Sequence, residues 1–450
     1  MRLEDAGSVT GFSPPYKRYA LGMMTAVYGL NLVDRNLMTL LMQPIKDELR
    51  LSDTQLGFLT GIAFAFFYAT VGVPIGRLAD RIDRSAITSV AIGLWGLTVM
   101  ACLFVTSYPQ MIFARIAAAV GEAGCKPPTY SLVGDYFPEP AERTRAMAIY
   151  VAGAPVAALI SFAVGGWINE IYGWRVTFFL MGIPGLVLAV LVRLTIIDPQ
   201  ARTRKASFNE NRLPSVRAVL VTLWDHQSLR HLSIALILLY ATGFGLSPWY
   251  AAFLVRNHGM SSMETGMWLG VVISVAGAAG VILGGYASAH WFADSEQRQM
   301  RLSAVSVALI IPCFLAFLTL PNKYEALIGL MGVVIFIYVS FGPTYALMQR
   351  LVRDDMRATT MALVLLLVNL IGMGLGPQIV GILSDALRPV AATDSLRFAM
   401  MIWSLTALWS AYHFWRVGRT VQQDLLVMAE GRVPDVLSKT RVKVGVVPSN

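Results

Sequence analysis

Five ionisable residues stand inside apolar stretches of this chain, and their spacing limits the chemistry open to them. Asp34 and Arg35 are adjacent in the run from Tyr19 to Met42, and Arg115, Glu122 and Lys126 share a second run. Charge at bilayer depth costs a few kcal/mol or more, so such residues are usually kept for handling ions or substrate. Neighbours on a helix point about 100° apart, so Asp34 and Arg35 need not face each other. Counted from Lys17 and Arg18, Asp34 lies roughly 24 Å along its helix, in the far half of a core ~30 Å thick. Arg115, counted from Gln110 at the opposite boundary, is only roughly 8 Å deep, level with Asp34. Glu122 shares the Arg115 face and lies roughly 10 Å further on, near the midplane. Lys126, one turn later, extends the column, while Tyr28 and Asn31 share a face with Arg35 and offer hydrogen bonds.

Two readings of this column stay open. A fixed Asp34–Arg115 or Asp34–Arg35 salt bridge would simply hold two helices together. Alternatively, Asp34 or Glu122 alternates between arginine-paired and protonated states. A permanent buried pair adds little net stability, which favours the second reading. An approaching arginine favours the carboxylate and burial without one favours the acid, so a moving arginine is a physical basis for proton coupling. Arg35, Arg115 and Lys126 also suit an anionic headgroup, because a guanidinium matches phosphate geometry.

The elements that hold these residues are membrane helices. Hydrophobic residues make up 56% of the 450 and charged residues 14%, with mean hydropathy +0.60. Apolar windows of about 20 residues recur twelve times. They fall at roughly 19–42, 55–78, 86–107, 109–133, 144–170 and 175–197, then 231–255, 263–291, 300–320, 325–349, 358–385 and 396–416. The expected architecture is all-α, with twelve spans in two six-helix bundles. The expected divisions are an N-terminal tail (1–17), a first bundle (18–197), a linker with an amphipathic helix (198–229), a second bundle (230–418) and a C-terminal tail (419–450). With both termini inside, about 26 of the 36 Lys and Arg face the cytoplasm, among them Arg202, Arg204, Lys205 and Arg353. The net charge of +9 is therefore a membrane-topology signal and poor evidence for nucleic-acid binding. Cys102, Cys125 and Cys313 all lie in expected spans, far apart, and read as small core residues. Metal-ligand spacing, a clustered Ser/His/Asp set and a nucleotide-binding motif are all missing, which argues against an enzyme and an ATP-driven pump.

The second bundle carries hardly an ionisable group at depth. Tyr240, Phe244, Trp249, Tyr338, Phe341, Tyr345 and Asn369 instead form a candidate apolar and aromatic wall, suited to the tail of an amphiphile. Proline and glycine within spans, as at Gly374-Leu375-Gly376-Pro377, suit helices that bend or approach closely. Two halves with a site between them match a carrier built of repeats.

Between the second and third spans stands Gly76-Arg77-Leu78-Ala79-Asp80-Arg81-Ile82-Asp83-Arg84, which resembles the signature loop of the major facilitator superfamily. Asp80 is placed to cap a helix start, and Asp135, in Asp135-Tyr136-Phe137-Pro138, to pair with the arginines Arg81 and Arg84. Gly76, Asp80, Arg81, Arg84 and Asp135 thus read as a cytoplasmic gate. Asp83 departs from the family pattern, which has glycine there. Leu30-Asn31-Leu32-Val33-Asp34-Arg35, Leu51-Ser52-Asp53-Thr54-Gln55-Leu56-Gly57 and Gly121-Glu122-Ala123 with Pro128 resemble the spinster branch, whose members export sphingosine-1-phosphate or lysophospholipid. The second half adds Gly381-Ile382-Leu383-Ser384-Asp385. The resemblance covers most of the first half. It implies a multi-pass carrier that moves a lysolipid or sphingoid-like amphiphile by alternating access, and the expected setting is a monomer in the bacterial inner membrane. Protons would be the coupling ion at Asp34 and Glu122, with no other cofactor, and the cargo and membrane lipids the partners. A proton-linked drug exporter and a small organic anion carrier are the alternatives on the same fold.

Overall fold

The computed structural model describes residues 12–79, 82–200, 216–352 and 356–429. Asp80 and Arg81 of the expected gate, Arg202, Arg204, Lys205 and Arg353 lie outside the described residues, as do the ends of both expected tails. Among the described residues the chain is helical, with no strand. The first half comprises α1 (Pro14–Leu49), α2 (Asp53–Thr60), α3 (Ile62–Ala79), α4 (Arg84–Ala101), α5 (Tyr108–Ala123), α6 (Lys126–Tyr136) and α7 (Pro140–Thr195). After α8 (Val216–Asp225) come α9 (Gln227–Leu246), α10 (Trp249–His258), α11 (Ser262–Val271), α12 (Gly277–Tyr286), α13 (Glu296–Thr319) and α14 (Lys323–Val339). The last elements are α15 (Phe341–Arg350), α16 (Arg357–Leu367), α17 (Gly376–Ala391), α18 (Ser395–Ser404) and α19 (Thr406–Ala429).

Among the described residues, eight helices are long and apolar enough to cross a membrane. Two of them, Pro140–Thr195 and Thr359–Val427, run 56 and 69 residues, enough to cross more than once. α1 and the α5–α6 pair are not among the eight; they carry the charged column. Local chemistry sets where helices start and bend. Ser52 and Gln55 form a capping box on α2, and Asp83 caps α4 by accepting from the amides of Ser85 and Ala86. The residue that breaks the signature pattern is thus a helix cap. Gly173, at φ 80° and ψ 169°, turns α7 where a side chain would be strained. Wide π-helical turns at Val272–Ala276 and Val368–Leu375 interrupt two helices of the second half, a common mark of functional positions.

The halves meet along a seam near Asp53. α2 packs on α17, α7 on α11 and α1 on α10. Glycines permit this closeness: a side chain on Gly381 would run into the Asp53 backbone, and one on Gly266 into the Phe162 carbonyl. Polar groups lock the same end. Asp53 accepts from Arg256 Nη1 (2.9 Å) and Nη2 (2.8 Å), from Ser384 Oγ (2.6 Å) and from Lys46. Asp385 reaches across to the first amides of α2, those of Asp53 (3.1 Å) and Thr54 (2.7 Å). One half therefore caps a helix of the other. Burial works against the Asp53 carboxylate, but Arg256, Lys46 and Ser384 outweigh it and hold the group well below the usual carboxylate range. Toward the other end the halves part, and Tyr130 on α6 and Ile282 on α12 are exposed.

Candidate functional site

The first-half column is built by α1 and α5, flanked by α3. Arg115 pairs with Asp34, and its Nε donates to the Leu59 carbonyl at 3.2 Å. Arg35 grips Glu122 with two nitrogens, Nη2 to Oε1 at 2.6 Å and Nε to Oε2 at 3.2 Å. The adjacent Asp34 and Arg35 therefore do not close on each other; each takes a partner on α5. Asp34, Arg115 and Glu122 are buried, whereas the Arg35 side chain keeps 23% of its surface exposed. Arg35 is thus the accessible member of the two pairs. Phe64 and Tyr68 of α3, which sequence reasoning passed over, stack on one another and face the guanidiniums. Their i, i+4 spacing puts them on one face of the second span, a pattern that an apolar, aromatic-rich span does not set apart.

The other residues of the column sit differently from expectation. Lys126 is exposed, forms no ion pair among the described residues, and lies 5.8 Å from the Tyr28 ring. Asn31 is buried at 3% exposure beside Cys125 and is not among the residues that line the cavity. It is therefore a core residue here, where a headgroup ligand was expected; α1 turns that face inward.

A cavity of about 800 Å³ opens between the halves. Tyr28, Arg35, Phe64, Tyr68 and Arg115 line its first-half wall. Phe244, Tyr250, Ile337, Tyr338, Asn369 and Met373 line the opposite wall. Of the expected tail-binding residues, Phe244, Tyr338 and Asn369 reach the cavity. Tyr240, Phe341 and Tyr345 form a cluster behind them: Tyr240 stacks on Phe244 with centroids 4.8 Å apart, and its hydroxyl meets that of Tyr345 at 2.8 Å. Trp249 is a correction. It is fully buried and donates to the Pro377 carbonyl at 3.3 Å, so it anchors α10 at the seam.

The expected gate residues also act within one half. Arg84 pairs with Asp135, while the Arg84 amide donates to Asp198 at 2.9 Å and Gln200 donates to Asp135 at 3.0 Å. This ties the start of α4 to the end of α6. Gly76 lies in α3 with open space around its α-carbon. At the corresponding junction of the second half, Glu296 at the start of α13 pairs with Arg350 at the end of α15. The polarity is reversed, with the acid at the start of α13 and the arginine at the end of α15. His231 and His413, distant in the sequence, meet through their Nδ1 atoms at 2.8 Å. The Asp53 network is a polar contact that joins the halves, and its residues carried no depth signal because they lie beyond the ends of the expected spans or, as with Ser384 and Asp385, at the very end of one.

Comparison with known proteins agrees with this architecture. The family model described as Major Facilitator Superfamily matches residues 24–377. An MFS-type efflux pump of Mycolicibacterium smegmatis is 30% identical over 90% of this chain and 94% of its own length. The sphingosine-1-phosphate transporter SPNS2 of Danio rerio is 22% identical over 85% of this chain and 80% of its own. A crystal structure of a bacterial homologue of the human lysosomal transporter Spinster, inward-facing and unoccupied, superimposes with a TM-score of 0.80. It is 27% identical and covers 92% of this chain and 99% of that one. A two-half helical carrier architecture, a cavity between the halves and a family match across most of the chain lead to one conclusion: this is a multi-pass membrane transporter, and the chain belongs to the major facilitator superfamily.

Proposed function

We propose that this chain carries a single-chain amphiphile, such as a lysolipid or sphingoid-like molecule, across a bacterial inner membrane by alternating access coupled to protons. The observation that carries the reading is the division of the cavity walls. Arg35 and its partner Glu122 stand on one side, and the aromatic and aliphatic residues of the second half stand on the other. At about 800 Å³ the cavity falls within the range of roughly 300–1,000 Å³ usual for small-molecule sites. An anionic headgroup that takes the Arg35 fork leaves Glu122 buried without its guanidinium, a state that a proton neutralises. Headgroup and proton are then bound together and released together when Arg35 returns. The more buried Asp34–Arg115 pair reaches the cavity through Arg115 and holds α1 against α5, and Asp34 is the second proton site of the column. The positive-inside pattern assigns the open end to the cytoplasm, so this conformer faces inward, and the chain works as a monomer.

The test is flux of lysophosphatidylethanolamine in proteoliposomes under an imposed pH gradient. Asp34→Asn and Glu122→Gln should each abolish the response to the gradient while leaving the protein folded. Unchanged coupling in both variants would sink the mechanism. A second reading, export of apolar drugs, is favoured by the efflux-pump relative and by the same apolar wall. Competition of lysolipids, apolar cations and short carboxylates for one site separates the readings; a small carboxylate leaves the apolar wall without a partner.

A further inference from the structure

Phe64 occupies an unusual position: a single buried ring serves two guanidiniums from two helices. Arg35 Cζ lies 4.4 Å from its centroid and Arg115 Cζ 4.9 Å. Tyr68, one turn later, stacks on it at 5.7 Å and 19° and itself faces Arg35 at 4.9 Å. Cations are attracted to the faces of aromatic rings, and more so where water is excluded. The α2–α3 segment thus grips the column twice, since the Leu59 carbonyl also accepts from Arg115. The ionisable groups around these rings are Tyr28, Asp34 and Arg35 on α1, Cys102 after α4, and Arg115, Glu122, Cys125 and Lys126 on the α5–α6 run.

The same segment is bound to the other half at its far end. Asp53 takes Arg256, and Asp385 caps the α2 amides. Between these grips the backbone bends at Gly61, φ −103° and ψ −95°, where the Gly374 carbonyl of the wide turn Val368–Leu375 occupies the place of a side chain. Phe64 follows this bend by less than one helical turn. A second half that rocks away at the seam removes Asp385, Arg256 and Gly374 from this one segment. The Phe64 ring then has no reason to stay between the two guanidiniums.

We propose that Phe64 is the positioning residue through which opening of the Asp53 seam changes the partners of Arg35 and Arg115. The proposal rests on the reading of the column as the coupling site, and it names the element that transmits between column and seam. It requires a reciprocal effect: neutralising the column must loosen the seam, and only while the ring is present.

The test needs no cargo. In the full-length protein, with its three cysteines replaced by alanine, Gln378→Cys places a thiol in the buried seam, and its labelling by a membrane-impermeant maleimide is timed. Glu122→Gln is expected to change the labelling rate about tenfold, within the usual span of coupling between sites. In a Phe64→Leu background the same substitution should change it less than twofold, and Phe64→Tyr should restore the effect. A Glu122→Gln effect of equal size with and without the ring overturns the role of Phe64 and leaves the column reading standing. No effect of Glu122→Gln in the parent protein overturns both. Folding of each variant is checked by a monodisperse elution profile, and Phe64→Tyr guards against a merely structural loss.

Discussion

Replacing Arg256 by glutamine should open the end of the molecule that is closed here. Arg256 gives Asp53 two charge-assisted hydrogen bonds, at 2.8 and 2.9 Å, and a third bond of 2.6 Å runs from its Nε to Gln43. The Asp53 and Arg256 side chains keep only 4% and 16% of their surfaces exposed, so solvent screens the pair little. Hydrogen bonds to charged groups contribute roughly 1.5–3 kcal/mol each. Lys46 and Ser384 stay on Asp53 after the change, so the net loss is about 3 kcal/mol rather than the sum. In the opposite conformer these groups are parted and hydrated, so the loss falls on the closed seam alone. A shift of that size moves the ratio of conformers roughly a hundredfold. Spin labels at positions 47 and 325, on either side of the closed end, would report it as a longer distance in lipid nanodiscs. Asp53→Asn should do more, because it leaves Lys46 and Arg256 facing each other without an anion. Unchanged distance distributions in both variants would refute the view that this network holds the seam.

Further predictions follow from the same geometry. Asp385→Ala removes a helix cap supplied across the seam; a loss of about 1 kcal/mol should raise the open population several-fold in the same distance measurement. Gly57→Ala puts a methyl 2.5 Å from the Pro377 carbonyl oxygen and 2.9 Å from the Gln378 α-carbon, both backbone atoms, so the seam should fail to close and the longer distance should dominate. The pH dependence of the seam has a definite sign. A carboxyl held below its ordinary range keeps its stabilising contribution above that range and loses it only as pH falls toward the depressed value. In the Asp34→Asn, Glu122→Gln double variant, lowering the pH from 7.5 to 5 should therefore leave the distance unchanged. Arg84→Gln should lower thermal stability by roughly 1–3 kcal/mol, seen as a reduced melting temperature in detergent, because it takes the guanidinium from Asp135, which keeps Gln200, and loosens α4 from α6.

Much of the site was legible before any coordinates. Helical rise and apolar run lengths set Asp34 and Arg115 at one depth, and the two are paired. Periodicity put Glu122 on the Arg115 face, and both lie on the α1 side of α5. The partner of Arg35 was not legible, because its side chain is long enough to reach Asp34, Glu122 or a ligand, and rise per residue does not choose among them. Phe64 and Tyr68 were hidden among other apolar residues of a span, where an aromatic pair has no distinctive pattern. Trp249 and Asn31 are buried and away from the cavity wall for one reason: a residue at the right depth faces either a cavity or a neighbouring helix, and depth alone does not give the rotation.

Hydropathy, charge distribution and local motifs determined that the chain is a helical membrane carrier, which residues lie at depth, and which family it resembles. These depend on period, length and composition, all of which are local properties of the chain. Only the tertiary structure decided how the charges pair, which aromatic residues line the cavity, and that Asp53, Arg256 and Asp385 close one end. Asp53 and Asp385 are 332 residues apart in the chain. Contacts of such separation are set by how the two halves pack, and a different tilt of the halves would part them without changing one residue.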